Sequence, residues 1–166
     1  MNKPTISQFT TRLNIGAIRN LAKQFPTQEL LSLITDSNKI VVRNAAWALT
    51  HKTDKEVQSI PQQELVNIIL ASDYEWVQRM LLSVLERQFI EKEFSPDLLN
   101  FCLFRMVNPD YPCGIQSLCL KLAYRMSRYY PELAHEFDQI VQMAQYNDFK
   151  PGMVHLLKKL NAGKAL

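Results

Sequence analysis

Four prolines recur at a spacing of 35 residues, at positions 26, 61, 96 and 131. Each begins a similar string, which reads in order PTQELLSLI, PQQELVNIIL, PDLLNFCLF and PELAHEFDQIV. Proline suits the first turn of a helix because its missing N–H has no intrahelical partner there, and acids near this end favour the positive pole of the helix dipole. The four strings are therefore predicted to be the first helices of a structural repeat.

A second string recurs between the prolines. VVRNAAWAL at residue 41 aligns with VQRMLLSVL at 77 and IQSLCLKLA at 115, and AIRNLAKQF at 17 and MVHLLKKLN at 153 keep the same register. Apolar positions every three or four residues predict a helix in each case. The chain then divides into predicted helices at roughly 13–25, 27–35, 38–52, 61–71, 73–89, 96–106, 112–129, 131–145 and 151–161. The predicted fold class is all-α.

The composition is that of a globular chain. It has 166 residues, of which 47% are apolar and 21% charged, and this length corresponds to about one domain. No run of 18 apolar residues and no secretory signal is found, so we expect a cytoplasmic protein that does not enter a membrane. The three cysteines are an odd number, which fits a reducing compartment.

The segment ELLSLITDSNKIVVRNAAWALTH, residues 29–51, resembles a HEAT repeat. The likeness consists of an apolar first helix, an aspartate in the turn, then Val-Arg and an Ala-Ala-x-Ala-Leu second helix. It implies an armadillo-type α-solenoid, an α-α superhelix of about four helix pairs after one leading helix, in a single domain over 1–166. The expected repeats cover 26–52, 61–89, 96–129 and 131–161, with the leading helix at 13–25.

Two narrower resemblances accompany the HEAT pattern. LKLAYRMSRYYPELAHEFDQI, with VHLLKKL, looks like the C-terminal part of small uncharacterised bacterial HEAT-like proteins, which implies a fold but no function. YEWVQRMLLSVLERQF, residues 74–89, is similar to part of the HEAT-like DNA alkylation repair glycosylases. No catalytic residue of those enzymes maps onto this chain.

The second helices carry aligned rows of cations. On a helical wheel, Arg43, Trp47 and His51 share the polar side of the helix at 38–52, opposite an apolar stripe. Their equivalents in the other second helices are mostly Lys or Arg, and the resemblance to HEAT repeats places second helices on the concave face. The predicted binding groove comprises Arg19, Lys23, Arg43, Trp47, His51, Arg79, Arg87, Lys121 and Arg125.

Structural roles for the same residues remain open. Arg43 and Arg79 can instead pair with aspartates in the turns, for which Asp36, Asp73 and Asp110 are available. Trp47 can pack on the preceding helix as a second small core. In either case the rows would form a ladder that holds the fold together.

No constellation typical of catalysis is present. The three histidines lie in different predicted helices without paired ligand spacing, and the cysteines lack a C-x-x-C motif, so no metal site is expected. Glycine-rich phosphate loops and G-x-S-x-G elbows are absent, and no cofactor is expected. Catalytic residues are therefore not assigned, and an enzymatic activity is not the preferred hypothesis.

The sequence favours a non-enzymatic binding or scaffold module with a basic groove. The expected partner is an anionic macromolecule, either an acidic protein segment or nucleic acid. One alternative is a DNA-repair glycosylase of the HEAT-like alkylation-repair type, in which Glu86 or Glu75 would stabilise charge on the sugar. Another is a structural subunit of a complex that uses its first helices. The oligomeric state is left open.

Overall fold

The computed structural model describes residues 5–93 and 95–166. Within these ranges the chain forms ten α-helices and two short 3₁₀ helices, and no strand is found there. The all-α prediction is therefore confirmed. The helices gather into two compact units, which divide between Gln88 and Phe89 and are called unit 1 and unit 2. A single domain over 1–166 stays a prediction.

The four periodic prolines all mark the starts of helices. These first helices are α2 (Thr27–Leu33), α5 (Gln62–Ala71), α7 (Pro96–Met106) and α9 (Pro131–Met143). The first two begin one residue after their proline, and the other two begin at it. At α7 the Ser95 side chain also accepts a hydrogen bond from the backbone N–H of Leu98, as a helix N-cap does. The prediction of equivalent helix starts is confirmed.

The second helices also match their predicted positions. They are α1 (Ile15–Gln24), α3 (Lys39–Thr50), α6 (Glu75–Gln88), α8 (Cys113–Tyr129) and α10 (Pro151–Asn161). Asn14 caps α1 and Asn38 caps α3, because each side chain accepts a backbone N–H of the first turn. Every end lies within two residues of its predicted boundary.

Three short helices were not predicted. They are two 3₁₀ helices, Ile6–Phe9 and Tyr146–Asp148, and the four-residue α4, Asp54–Val57. A capping box starts α4: the Thr53 hydroxyl accepts from the N–H of Glu56, and the Glu56 carboxylate accepts from the N–H of Thr53. This turn places Asp54 close behind the end of α3.

Helix α3 lies at the centre of unit 1. It packs against α1, α2, α6 and the first 3₁₀ helix. Its apolar stripe is fully buried, and three alanines, Ala45, Ala46 and Ala48, let the neighbouring helices approach closely. Burying Val41 and Leu49 in the same stripe contributes roughly 1.5–3 kcal/mol each.

Asn44 is fully buried, although the helical wheel places it on the polar side of α3. Its amide donates to the carbonyl oxygens of Phe9 at 2.9 Å and Thr11 at 2.7 Å, because the segment before α1 crosses this side of α3. Asn44 therefore fastens the start of the chain to the second helix.

Unit 2 is built around α8. This helix packs against α7, α9 and α10, and its apolar side chains, such as Leu122 and Met126, are fully buried. Gln116 near its start is also buried, and it donates to the carbonyl of Asn108 at 2.7 Å. In unit 1, Gln78 holds the turn before α6 in the same way, donating to the carbonyl of Ser72. The two units thus repeat a structural hydrogen bond at aligned positions.

Candidate functional site

Arg43, Trp47 and His51 form a connected group along one side of α3. The Arg43 guanidinium carbon lies 5.3 Å from the centre of the Trp47 ring, within the range of a cation–π interaction. The Trp47 and His51 ring centres are 6.5 Å apart. Trp47 is half-buried, so part of the indole faces solvent between a cation and an imidazole.

Arg19 joins this group from α1. Burial, and after it the positive charge of Arg19, lowers the pKa of His51 below its usual value of 6.5. Both effects favour the neutral imidazole over the charged imidazolium. Its Nε2 atom is buried and has no hydrogen-bond partner within the described part of the chain. The imidazole therefore retains an unused polar atom next to Trp47.

Arg43 and Arg79 do not pair with the turn aspartates. Within residues 5–93 and 95–166 neither arginine has a carboxylate within ion-pair distance, and neither Asp36 nor Asp73 has a cationic partner. Arg79 is exposed on α6. Of the two roles left open by the sequence, pairing with a turn aspartate is wrong for both arginines.

Arg87 has a structural role at the end of α6. Its Nε donates to Asp54 Oδ1 at 2.9 Å, and its Nη1 and Nη2 donate to the carbonyls of Thr50 and Lys52 at 3.2 and 2.7 Å. A helix C-terminus has carbonyls without intrahelical partners, and a cation there also complements the helix dipole. Arg87 thus closes the end of α3 and has few donors left for a ligand.

Arg125 repeats this arrangement in unit 2. Its Nη2 donates to the carbonyl of Phe89 at 2.8 Å, and its Nε donates to Glu91 Oε1 at 2.7 Å. The guanidinium also lies 5.3 Å from the centre of the Phe89 ring. Both arginines therefore bind the segment that follows the preceding second helix. We call Arg87 and Arg125 the clamp arginines.

The contact of Arg87 with α3 shows where Arg43 and Arg79 lie along their two helices. Helices α3 and α6 pack against each other, and Arg87 at the end of α6 contacts the end of α3, so the two helices run in the same direction. Arg79 lies eight residues before Arg87, and Arg43 lies seven residues before Thr50, which is about 11–12 Å along a helix. Arg43 and Arg79 therefore lie at similar heights on neighbouring helices.

The remaining predicted residues lie on other helices. Lys23 is exposed in the last turn of α1, and Lys121 is half-buried on α8. Unit 1 thus contains seven of the nine predicted groove residues, and it brings Arg19, Arg43, Trp47 and His51 together. Lys121 and Arg125 both belong to unit 2.

Comparison with known proteins identifies the repeat. The family profile described as the HEAT repeat domain matches residues 3–163, nearly the whole chain. The chain belongs to the HEAT repeat family. No curated protein and no solved structure matches it significantly.

The described residues of this HEAT repeat protein contain neither a cluster of metal ligands nor a helix that could span a membrane. Within them no three His, Cys, Asp or Glu side chains cluster as metal ligands would, and no helix is both long and apolar enough to span a bilayer. Glu75 is exposed in the first turn of α6. Glu86 is half-buried and already interacts with another part of the chain. Neither carboxylate is set apart as a catalytic group by its surroundings.

The sequence analysis missed two acids that matter for the HEAT repeats, Asp54 and Glu91. Each follows a second helix and receives the clamp arginine of the next repeat. A signal was present, because the acids precede Arg87 and Arg125 by 33 and 34 residues, close to the repeat length. Asn44 had no comparable signal, since its partners are backbone carbonyls of the leading segment.

Proposed function

We propose that this HEAT repeat protein is a non-enzymatic binding module for an anionic partner. The proposed site is the basic face of unit 1, defined here by Arg19, Lys23, Arg43, Trp47, His51 and Arg79. The observation that carries the proposal is that four cations, Arg19, Lys23, Arg43 and Arg79, lack carboxylate partners in the described chain, whereas most donors of Arg87 bind the fold. Cations that the fold leaves unused remain available to a ligand.

The stacking of Arg43 on Trp47 supports recognition of an oxyanion. A guanidinium offers a planar set of N–H donors that match carboxylate and phosphate, and contact with an aromatic face restricts its orientation before a ligand arrives. The exposed part of the Trp47 ring adds an apolar surface beside it. A phosphate with an unstacked base and an acidic peptide with one apolar side chain both fit this combination.

In unit 2 the predicted groove residues are Lys121 and Arg125. Arg125 binds Glu91 and the Phe89 carbonyl, so we assign it chiefly to the fold. Lys121 is the residue of α8 that we expect to contribute to binding. Its effect should be smaller than that of Arg43, because an ammonium lacks the planar fork of a guanidinium.

Equilibrium binding tests the proposal. Fluorescence anisotropy would measure the affinity of a labelled single-stranded oligonucleotide, a labelled duplex and a labelled poly-glutamate peptide at low salt. We expect at least one of them to bind, and the triple variant Arg19→Ala, Arg43→Ala, Arg79→Ala to bind it at least tenfold more weakly. A control, Lys150→Ala with Lys164→Ala, removes two positive charges outside the basic face and should retain most of the affinity. If both variants lost the same affinity, the effect would come from the net charge of the protein, and the proposal would be contradicted.

The glycosylase alternative predicts chemistry in addition to binding. We expect purified protein to release no base from DNA that carries alkylated purines. Release that Glu86→Gln or Glu75→Gln abolishes would replace the binding hypothesis with the enzymatic one.

A further inference from the structure

A separate cleft lies in unit 1, at the turns that join first and second helices. Its volume is about 350 Å³, and it opens between the end of α2 and the last turn of α5. Ile34, Val42, Ile68 and Ala71 supply apolar surface, and Asp36 and Asp73 also line the cleft. None of these six residues belongs to the basic face.

The cleft lies where α5 extends beyond the end of α2. Helix α2 has seven residues and α5 has ten, so the last turn of α5 has no counterpart in α2. Hydroxyl groups near the end of α2 bond to its own carbonyls, Ser32 to Glu29 and Thr35 to Ser32, and such bonds compete with helix continuation. At the other end the helices are joined, since Gln28 donates to Glu64 at 3.1 Å. The space is therefore confined to one end.

The two carboxylates come from equivalent turns of consecutive repeats. One oxygen of Asp36 accepts the backbone N–H of Asn38 at 2.7 Å, and Asp73 is exposed. Within the described ranges neither acid has a Lys or Arg partner. The nearby cation Lys39 lies 5.2 Å from the centre of the Tyr74 ring and not in an ion pair. Two acids against one lysine leave the cleft with a net negative charge.

An aromatic wall completes the cleft. Tyr74 lines it and stacks on Trp76, with ring centres 5.2 Å apart and planes inclined by 21°. The cleft thus combines apolar and aromatic surface with carboxylates. A long cationic side chain has the matching form, because its aliphatic stem can be buried while its charged head stays at the polar edge.

We propose that this cleft is a docking site for a lysine or arginine side chain of a partner polypeptide. The stem lies on Ile34, Ile68 and Ala71, and the cationic head lies near Asp36 and Asp73. The charge of the cleft disfavours the anionic partner proposed for the basic face. The proposal therefore stands independently of that function and gives unit 1 two sites of opposite charge preference.

Small probes test the proposal by ¹⁵N-resolved NMR titration of the full chain. The probes are N-acetyl-arginine amide, N-acetyl-lysine amide, the uncharged N-acetyl-norleucine amide and spermidine. We expect saturable shifts at the amides of Ile34, Ala71 and Tyr74 with at least one of the two cationic amino-acid amides, and at least fivefold weaker binding of norleucine amide. If norleucine amide bound as tightly as the cationic amides, the cleft would recognise apolar surface alone and the proposal would be contradicted. Binding of spermidine alone would assign the site to free polyamines and overturn the polypeptide assignment.

Variants locate the charge requirement. The double variant Asp36→Asn, Asp73→Asn keeps the acceptor oxygen for Asn38 and should weaken binding of the cationic amides about five- to tenfold, since exposed ion pairs are individually weak. Asp110→Asn removes the equivalent turn acid in unit 2 and should leave the affinity unchanged. If the double variant does not fold, the single variant Asp73→Asn, at an exposed position, is used instead. Its affinity for the cationic amides should fall about twofold to threefold. Unchanged affinity in the folded acid variant, or no saturable shifts with either cationic amide, contradicts the proposal.

Discussion

The C-terminal ends of the second helices differ from their N-terminal halves in how they use arginine. At the C-terminal ends, Arg87 and Arg125 donate to backbone carbonyls and to an acid of the preceding segment. In the N-terminal halves, Arg43 lies over an indole ring and Arg79 is exposed. One residue type at regular positions of a repeat therefore has two kinds of surroundings, and the difference lies in the acceptors nearby.

Helix geometry explains this difference. The last four carbonyls of a helix have no intrahelical partner, so a guanidinium that approaches a helix end finds acceptors and a favourable dipole. Carbonyls in the N-terminal half are already bonded within the helix. A guanidinium there depends on nearby side chains, and Arg43 contacts the Trp47 ring, which leaves its N–H donors unused. The comparison separates cations whose donors bind the fold from cations whose donors the fold leaves unused.

The largest effect should come from Arg87→Ala. We expect the free energy of unfolding to fall by about 1–3 kcal/mol, because the substitution removes charge-assisted hydrogen bonds to two carbonyls and to Asp54. Urea denaturation followed by circular dichroism measures the change. Arg87→Lys keeps the charge but loses the planar fork, so it should recover less than half of the lost stability.

Arg43→Ala is the matched control for that comparison. Its cation–π contact at a partly exposed site contributes about 0.5–1 kcal/mol, so its unfolding midpoint should stay close to that of the parent. If Arg43→Ala destabilises the protein as much as Arg87→Ala, the division into clamp arginines and available arginines is wrong.

Arg125→Ala should destabilise the chain by about 1–2 kcal/mol in the same urea experiment, because this clamp has the Phe89 carbonyl and Glu91 as acceptors.

The pH dependence of stability tests the contact between Arg125 and Glu91. Burial raises the pKa of Glu91, but a backbone hydrogen bond and Arg125 lower it more, so it falls below 4.5. A carboxyl with a lowered pKa stabilises the fold above pH 4.5, and this contribution is lost as the pH falls through the folded-state value. Urea midpoints between pH 6 and pH 3 should therefore fall less steeply in Arg125→Ala than in the parent. If the urea midpoints of both proteins fell equally with pH, the contact with Arg125 would not be the cause of the lowered Glu91 pKa.

The fold was largely predictable because it depends on local signals. The 35-residue spacing of the prolines and the apolar register of the second helices placed α7 at 96–106 and α10 at 151–161, as the structure has them. The roles of the arginines were not predictable from one helix, because a helical wheel shows which side Arg87 lies on but not the acceptors some 35 residues upstream. The burial of Asn44 was missed for the same reason.

Trp47→Ala should weaken binding of the anionic partner about fivefold with little change in salt dependence. Stacking or apolar contact is worth about 1–3 kcal/mol per base and releases no counterion, and the lower end applies because Arg43 already covers part of the ring. Anisotropy titrations at several salt concentrations measure both quantities. Trp47→Phe keeps an aromatic surface and should lose less affinity. A change in salt slope as large as that of an arginine variant would mean that Trp47 acts mainly by positioning Arg43.

The smallest expected effect concerns His51. An anionic ligand favours the imidazolium that burial and Arg19 disfavour in the free protein, so binding should take up protons. Affinity for an oligonucleotide should therefore rise about twofold to threefold as the pH falls from 7.5 to 5.5, because the phosphodiesters do not titrate in this range. His51→Gln should remove most of this pH dependence, and an unchanged dependence would place its origin at His135 or His155.

The salt dependence of binding tests the division of roles most directly. The experiment compares the parent, the double variant Arg43→Ala, Arg79→Ala and the charge-matched control Lys150→Ala, Lys164→Ala. It measures the logarithm of the binding constant against the logarithm of salt concentration, for whichever of the single-stranded oligonucleotide and the duplex binds the parent more tightly. Each lost phosphate contact lowers the slope by about 0.7 on a single strand and 0.9 on a duplex. We therefore predict a slope about 1.4–1.8 units shallower for the double variant and an unchanged slope for the control. A double variant with the parental slope and affinity would show that the basic face is not the binding site.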